Sequence, residues 1–447
     1  MDALRWPQLV RFAIALIAEI LLCASLNLFD DWTLEEMPVK FVAAGMLCGI
    51  AYFVAVARFP ESASLRFQSG VFWTVVIILR LVVLPLEPGD DFWRYQWEGK
   101  IQQAGFNPYV HAPDDPQLEP VRAQFPSWHK INHRDFRAIY PPGAEMIFAG
   151  LSRVSDNPLL YKLLFTAADI ATIAVLLRLL GGASRYGRAA WYAWNPLVVY
   201  SFAGSAHFDS LMILPMTAGI LFLTRFESET DSRRKWLLAF AASAAFGIAI
   251  SVKLVPVLLL LGCVFALGYR AISLGLSVGI PAFLSLFYGY PKIPIWDSLR
   301  QFAHVTRLND LFWWLIEETL WRNPDQKNYR YNVIIVICVA LVSLLFWRNW
   351  KRGMIWALGT ALVLSPVLHP WYCTWILPFA AWRRSLTWPV LSISLFAYFL
   401  FWNERLFNLA WHAEWWMRAI IIVPPLAAVI WLGLIQRAQR TQRENNL

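Results

Sequence analysis

The run GDDFWRYQWEGK, residues 89–100, combines acids, bases and aromatic rings, and it directly follows the hydrophobic segment 69–86. Asp90 and Asp91 are paired carboxylates, and a carboxylate acts as a general base when its pKa suits the reaction. Arg94 carries a planar guanidinium, which either pairs with these acids or binds phosphate oxygens in bidentate fashion. Acids and an arginine at the end of a membrane helix indicate chemistry at the bilayer surface, on a substrate with one apolar and one polar end.

Other candidate binding residues interrupt apolar segments further along the chain. Lys253 separates two apolar runs, and such a lysine needs a polar cavity or a partner. We expect it to contact a lipid phosphate, with snorkelling to the interface as the alternative. His207 and Asp209 flank Phe208 at the end of a predicted span and are candidates for sugar or phosphate contact, or for a plain hydrogen-bonded pair. His369 lies in a proline break and has the same alternatives.

No cofactor is expected, and the sequence does not indicate a metal site, although a divalent metal ion remains compatible with it. His129 and His133 are four residues apart, as zinc ligands on one helix face are, but no third ligand is near. The 5 cysteines lie in or at the end of apolar segments without CxxC spacing, which argues against a zinc site or a disulfide framework. The sequence contains neither a P-loop nor a Rossmann glycine run, so the energy for any reaction must arrive with the substrate.

The composition predicts an all-α polytopic membrane protein. Of 447 residues, 58% are hydrophobic and only 15% are charged, and the 25 tryptophans suit the aromatic belts of membrane interfaces. Apolar stretches of about 17–25 residues fit a bilayer core, and they predict about fourteen spans. These are 10–29, 38–57, 69–87, 157–180, 189–203, 209–225, 236–251, 254–269, 271–290, 331–347, 354–368, 371–382, 386–402 and 415–435.

Loop charges predict the orientation. The net charge of +9 is dispersed among short loops, which fits positive-inside bias and gives no reason to expect nucleic acid. The basic loops all fall on the cytoplasmic side if both termini are cytoplasmic. The opposite side then receives the loops 88–156 and 291–330 within a single transmembrane domain, 1–447. Loop 88–156 is rich in aromatics and prolines, which predicts a folded cap, and its apolar stretch 144–154 is too short to span and predicts an interfacial or re-entrant helix.

Several short motifs accompany the run at 89–100. They are FNPY (106–109), APDD (112–115), INH (131–133), IYPP (139–142), WNP (194–196), GSAHFD (204–209), SVK (251–253) and SPVLHPWY (365–372). Together they resemble the bacterial GT-C-fold glycosyltransferases that use polyprenyl-phosphate sugars, in particular the mannosyltransferase-like branch (glycosyltransferase family 87-like). The similarity covers about residues 70–380, and the family's WDG reads WEG at 97–99, a change that keeps the charge.

The resemblance implies an inverting glycosyltransferase of the bacterial inner membrane with a periplasmic active site. Its donor would be a polyprenyl-phosphate sugar, with mannose as the preferred sugar. Its acceptor would be a lipid or a glycan, and membrane lipids would surround the protein. The first-loop acid is then the base, with Asp91 preferred to Asp90. The resemblance also implies two sets of binding residues. The candidates for donor phosphate contact are Lys253, Arg94, His369 and His207. The candidates for sugar or acceptor contact are Asp209, Glu98, Trp97, Tyr140, His133 and Tyr372.

Two other functions remain compatible with these features. A lipid-linked sugar flippase or transporter also needs a polar cavity and a phosphate clamp, although it does not account for paired acids in a large aromatic loop. A ligase that moves a whole lipid-linked glycan is the third possibility.

Overall fold

The regular secondary structure of the described residues is helical, and no β-strand is found among them. A computed structural model describes residues 6–325, 327–401 and 414–445. The α-helices are α1 Trp6–Ser25, α2 Met37–Ala57, α3 Leu65–Val83, α4 Asp90–Gln103, α5 Glu119–Arg122, α6 Pro142–Val154, α7 Pro158–Leu180, α8 Arg185–Ala193, α9 Pro196–Val199, α10 Ser210–Ser228, α11 Ser232–Val252, α12 Leu260–Leu267, α13 Gly275–Leu286, α14 Asp297–Val305, α15 Trp313–Thr319, α16 Tyr329–Leu345, α17 Trp350–Val363, α18 Leu377–Arg383, α19 Thr387–Ser394 and α20 Trp415–Asn445.

Shorter helical segments join or extend these helices. The 3₁₀ segments are Leu26–Leu28, Pro116–Leu118, Pro126–Lys130, Val255–Leu259, Gly268–Leu274, Pro370–Trp375 and Leu395–Phe399, and a π-helical turn spans Tyr200–Gly204. The predicted cytoplasmic termini end in residues 1–5 and 446–447, outside the described residues. Residue 402 of the predicted span 386–402 and residue 326 of the predicted loop 291–330 also lie outside them.

Eight helical segments in the described part of the chain are long and apolar enough to cross a membrane. They are Trp6–Leu28, Met37–Ala57, Leu65–Val83, Pro158–Leu180, Ser210–Ser228, Ser232–Val252, Val255–Leu286 and Trp415–Leu434. Because helices satisfy their own backbone hydrogen bonds, they are suited to the bilayer interior. The prediction of an all-α membrane protein is therefore confirmed.

The count of about fourteen spans stays a prediction, because length and composition select fewer helices. The predicted spans 254–269 and 271–290 fall within one continuous apolar segment, Val255–Leu286. Five other predicted spans coincide with shorter or interrupted helices: 189–203, 331–347, 354–368, 371–382 and 386–402. Proline explains two interruptions, since Pro196 and Pro370 lack an N–H and each begins a new helical segment.

The chain divides into two compact units. The first comprises Met1–Pro85, Leu180–Val199 and Leu368–Leu447, and the second comprises Leu86–Leu179 and Tyr200–Val367. In the first unit α1 packs on α2 and α3, α8 packs on α18, and α19 packs on α20. In the second unit α10 packs on α11, α11 packs on α13, α4 packs on α6, and α16 packs on α17.

Two glycines bring the helices of the second unit close together. A Cβ on Gly99 of α4 would lie 2.5 Å from both the Phe148 carbonyl oxygen and Ser152 Oγ of α6. A Cβ on Gly143, at the start of α6, would lie 2.6 Å from the Ser251 carbonyl oxygen near the end of α11. Only glycine permits such backbone approach. Helix α6 thus packs closely on the later half of α4 and on the end of α11, and these two helices carry Asp90 and Asp91 and lead to Lys253.

Candidate functional site

Asp90 and Asp91 form the first turn of α4, whose N-cap is Gly89. Acidic side chains are favoured there because the helix N-terminus carries partial positive charge and unpaired N–H groups. The Gly89 N–H donates to the Ser205 carbonyl over 2.9 Å, which ties this end of α4 to the chain before α10. Asp91 keeps 21% of its side chain exposed, so its carboxylate is enclosed but accessible.

Asn132 joins the two acids. Its side-chain amide nitrogen donates to Asp90 Oδ2 over 3.1 Å and to Asp91 Oδ1 over 2.9 Å. Sequence reasoning did not name Asn132 as a site residue, although the INH motif contains it. The motif directed attention to His133, whose side chain is exposed and faces the rings of Phe136 and Phe302.

Arg94 lies one turn after the acids and is 2% exposed. Its Nε donates to Glu98 Oε1 over 2.8 Å, and its two terminal nitrogens donate to four backbone carbonyls of the segment 132–137. A guanidinium has five N–H donors, and here each of them has an acceptor. In this arrangement Arg94 forms its salt bridge with Glu98, whereas the sequence suggested the acids Asp90 and Asp91 as partners. Phosphate binding by Arg94 stays a prediction.

Lys253 directly follows α11 and pairs with Asp209. Its Nζ lies 2.6 Å from Asp209 Oδ1, and the two side chains are 16% and 1% exposed. Its Nζ also lies 5.2 Å from the ring centre of Phe208, a cation–π distance. The Asp209 carboxylate compensates the charge of the Lys253 ammonium where both are shielded from water. The exposed part of the Lys253 side chain can contact a second anion.

His207 lies beside the acids. Its Nδ1 is 3.9 Å from Asp91 Oδ2, and its side chain is 2% exposed. A tight turn positions it: Ala206 has φ +60, and the His207 N–H donates to the Ser201 carbonyl over 2.8 Å. The turn follows the π-helical segment Tyr200–Gly204, a form of helix often found at functional sites.

The electrostatic surroundings raise the pKa of Asp91 to about 7. Burial is the main cause, and the charge of Asp90 adds to it. The hydrogen bond from Asn132 and the charge of Lys253 act in the opposite direction, and the charge of Asp209 raises the pKa further. A carboxylate with a pKa close to neutrality is well matched to proton abstraction from a hydroxyl group.

A cluster of aromatic rings lies in the second unit and includes Phe208, the neighbour of Asp209. Tyr95, Tyr140, Phe148 and Phe208 contact one another with ring centres 4.8 to 5.8 Å apart. Tyr140 is half-buried at the edge of this cluster, and its carbonyl accepts the Tyr109 hydroxyl hydrogen bond over 2.6 Å. The cluster fixes Phe208, and through it the neighbouring His207 and Asp209.

Trp97 and Glu98 are buried in α4 and belong to its supporting structure. The Trp97 ring packs on Phe125, and the Trp97 and Glu98 side chains are 0% and 1% exposed. Sequence reasoning missed their buried neighbour Glu145 of α6. Burial and the adjacent Glu98 raise the pKa of Glu145 well above its ordinary value, so its carboxyl favours the protonated form.

His369 and Tyr372 belong to the first unit. The His369 ring stacks on Trp371 with centres 4.4 Å apart, and its Nδ1 lies 3.1 Å from the Tyr398 hydroxyl. The Tyr372 ring stacks on Trp375 at 4.3 Å. Both side chains are half-buried in an aromatic group around the 3₁₀ segment Pro370–Trp375.

In the described part of the chain, no group of three or more His, Cys, Asp or Glu side chains has a geometry that could hold a metal ion. The 5 cysteines are free thiols. The side chains that the structure brings together at the described site are carboxylates, an ammonium, an imidazole and an amide.

A protein-family model gives independent information about this arrangement. The model of the MptA_B family, described as alpha-(1->6)-mannopyranosyltransferase, N-terminal domain, matches residues 18–269. This range is more than half of the chain and includes the acid pair, His207, Asp209 and Lys253. The chain belongs to this mannosyltransferase family. No curated protein and no solved structure matches it.

Membership of the family confirms the resemblance to mannosyltransferases and the prediction of an enzyme. The protein is a membrane glycosyltransferase, and its substrates are a sugar donor and a glycan or lipid acceptor.

Proposed function

We propose that the protein is an inverting GT-C mannosyltransferase of the bacterial inner membrane. It takes mannose from a polyprenyl-phosphate donor and transfers it on the periplasmic face. The observation that carries this proposal is the position of Asp91, a carboxylate of raised pKa beside Asp90, His207 and the Lys253–Asp209 pair. This arrangement supplies a base and a cation at one place, as transfer from a sugar phosphate requires.

Asp91 is the general base of the proposed reaction, with Asp90 as the alternative. The acceptor hydroxyl oxygen attacks the anomeric carbon of the donor as its proton passes to the Asp91 carboxylate. The bond between the anomeric carbon and the phosphate oxygen breaks, and polyprenyl phosphate leaves. The reaction needs no nucleotide or other activating cofactor, because the donor itself carries the activated leaving group.

Lys253 stabilises the leaving phosphate in this proposal. Its ammonium can contact a phosphate while Asp209 holds it from the other side, and an ammonium aimed at developing negative charge lowers the barrier. His207 is proposed as a further phosphate contact. The half-buried Tyr140, with Asp209 and His133, is proposed to contact sugar or acceptor. The substrate contacts predicted for His369 and Tyr372 stay predictions.

The acceptor follows from the product named in the family description, an α-(1→6) mannoside. We propose that the attacking group is the primary 6-hydroxyl of a mannose residue on a lipid or glycan. Inversion at the anomeric carbon converts a β-configured donor into an α-configured product. The proposed donor is therefore a β-linked polyprenyl-phosphate mannose.

We propose the matching arrangement of the whole chain in the membrane. Residues 1–447 form one GT-C transmembrane domain of about fourteen spans. Loops 88–156 and 291–330 lie on the periplasmic side, with α6 as an interfacial helix, and both termini are cytoplasmic.

The test uses reconstituted protein with radiolabelled polyprenyl-phosphate mannose and an α-mannoside acceptor. We expect label transfer by unmodified protein and at least a hundredfold lower turnover by Asp91→Asn, since a general base contributes about 10²- to 10⁴-fold. Donor binding persists in that variant. Asp114→Asn, which changes an exposed acid of the same loop, is the matched control and keeps normal turnover.

The pH profile adds a second criterion. Because the pKa of Asp91 is raised to about 7, its carboxylate form predominates only above that pH. Turnover should therefore rise tenfold per pH unit below about 7 and level off above it. If Asp90→Asn abolished turnover while Asp91→Asn remained active, Asp90 would be the base instead of Asp91. Donor translocation across the vesicle without label transfer would favour the flippase.

A further inference from the structure

The segment 131–137 contacts the catalytic acids through one side chain and α4 through its backbone. Asn132 donates to both Asp90 and Asp91, whereas the carbonyls of Asn132, His133, Phe136 and Arg137 accept from Arg94. The side chain and the backbone of one short segment are thus held by three residues of the same helix, Asp90, Asp91 and Arg94.

Helix geometry explains this double contact. Asp90, Arg94 and Glu98 are separated by four residues each and lie along one face of α4. Glu98 holds the guanidinium from the far side, with Nε 2.8 Å from Oε1, and both side chains are buried. The remaining four N–H groups point to the segment 131–137, which therefore lies along that face at the level of the acids.

The conformation of the segment depends on such anchoring. His133 has φ +43, in the left-handed region that non-glycine residues adopt at a cost. Its carbonyl accepts the Arg94 Nη1 hydrogen bond over 2.8 Å, which holds this residue in place. Asn132 precedes it, and its own carbonyl accepts from the same Nη1 over 3.4 Å, so both bonds restrict the backbone that carries the Asn132 amide.

We propose that Arg94 is a positioning residue that acts through Asn132: it clamps the segment 131–137 so that the Asn132 amide holds Asp90 and Asp91 in their catalytic arrangement. This proposal rests on the proposed function, and it assigns to Arg94 a task other than phosphate binding. The amide is suited to the task because its two N–H donors stabilise two neighbouring carboxylates at once. Without it the charged form of Asp91 loses a hydrogen bond.

The test compares Arg94→Lys, Asn132→Ala and the double variant. Lysine keeps a positive charge beside Glu98, but its ammonium has three donors and no planar fork, so it cannot replace the four carbonyl contacts. The matched control is Arg134→Lys, because Arg134 lies in the same segment and its guanidinium stacks on Trp128 at 4.4 Å.

We expect Arg94→Lys to move the acid limb of the turnover–pH profile upward by about one pH unit, as loss of a hydrogen bond to the charged form does. At neutral pH this shift lowers kcat about fivefold, and well below the limb it lowers kcat about tenfold, while the donor KM changes less than about twofold. Asn132→Ala should move the limb similarly, and the double variant no further, because both act on one contact. Arg134→Lys should leave the limb in place.

Hydrogen exchange of the purified protein gives a readout that does not need activity. Arg94→Lys should accelerate exchange of the amides in 131–137 and Arg134→Lys should not. An unmoved pH limb with a raised donor KM in Arg94→Lys would overturn the proposal in favour of phosphate binding. Additive limb shifts in the double variant would overturn it as well. Failure of the unmodified protein to transfer mannose would instead refute the proposed function, and the exchange rates alone would then decide whether Arg94 clamps the segment.

Discussion

At the scale of single residues, the chemistry depends on charges that are brought together but incompletely neutralised. Asp91 shares its surroundings with another acid, and the pKa of Asp91 rises as a result. Lys253 supplies the compensating cation, and Asp209 fixes its position within 2.6 Å. Under the proposed function, such a site has a base that can accept a proton and a cation that can bind a phosphate. Each group has a different partner, so their roles can be separated by substitution.

Lys253→Met tests the cation. Under the proposed function we expect donor binding to weaken about 10- to 100-fold, since a hydrogen bond to a charged group contributes about 1.5–3 kcal/mol. The variant should also be less stable, because Asp209 is left buried without its counter-charge. Donor Kd and Tm of the purified protein measure the two effects.

Two further variants separate binding from stability at this position. Lys253→Met combined with Asp209→Asn should regain Tm but not donor affinity. Lys351→Met removes a lysine that pairs with the exposed Glu227, and it should change neither quantity appreciably. Normal donor affinity in Lys253→Met would refute the assignment of Lys253 to the phosphate.

At the scale of elements, α4 is unusual because it is polar and yet largely buried. Burial of polar groups is unfavourable unless they are hydrogen-bonded, and α4 meets this requirement through contacts on several sides. Arg94 pairs with Glu98 within α4, Gln96 donates to the Asp156 carbonyl, and Gln102 donates to Glu145. The two glutamine contacts bind α4 to α6 and to the loop after it, so the acids at its first turn are held by a rigid support.

Gly99→Ala tests the packing of α4 on α6. Its new Cβ would lie 2.5 Å from the Phe148 carbonyl oxygen, a backbone atom that cannot move aside without shifting α6. We expect the free energy of unfolding to fall by about 1–3 kcal/mol, the usual cost of overpacking. Thermal unfolding of the purified protein gives this value.

The matched control for that variant is Gly150→Ala, on α6. Nothing lies within 4 Å of the Cβ it would add, so it should be neutral or slightly stabilising by helix propensity. Equal Tm values for the two variants would show that the approach of α4 to α6 is not tight.

At the scale of the whole molecule, the proposed function requires the large loop and the basic loops to face opposite sides of the membrane. Positive-inside bias supports this orientation, because the loops around 225–235 and 348–352 carry clustered arginine and lysine. The loop 88–156 carries the acids and many aromatics.

Cysteine labelling in spheroplasts tests the orientation. In a cysteine-free background, Gln117→Cys should react with a membrane-impermeant maleimide, because Gln117 is exposed in the large loop. Thr230→Cys, exposed in a basic loop, should react only after permeabilisation. The opposite labelling pattern would invert the topology and place the acids in the cytoplasm.

The sequence predicted the features that depend on local pattern. Hydrophobic length predicted the membrane helices, and the apolar stretch 144–154 predicted the helix observed as Pro142–Val154. Proline at the start of α6 and acids at the start of α4 are local signals of helix N-termini. The predicted span 371–382 does not coincide with one long helix. It is divided between the 3₁₀ segment Pro370–Trp375 and helix α18, because prolines interrupt the helical hydrogen bonds there.

By itself, the sequence determined the class of protein, the family resemblance and the residue types of the site, because composition, apolar periodicity and short motifs are local properties. Only the tertiary structure decided the partner of each side chain. It placed Asn132 across both acids, surrounded Arg94 with acceptors and paired Lys253 with Asp209, a residue 44 positions away. Burial and charge at a site are sums over neighbours that are distant in sequence, so the raised pKa of Asp91 and the contacts behind the proposed role of Arg94 emerge only when the chain is folded.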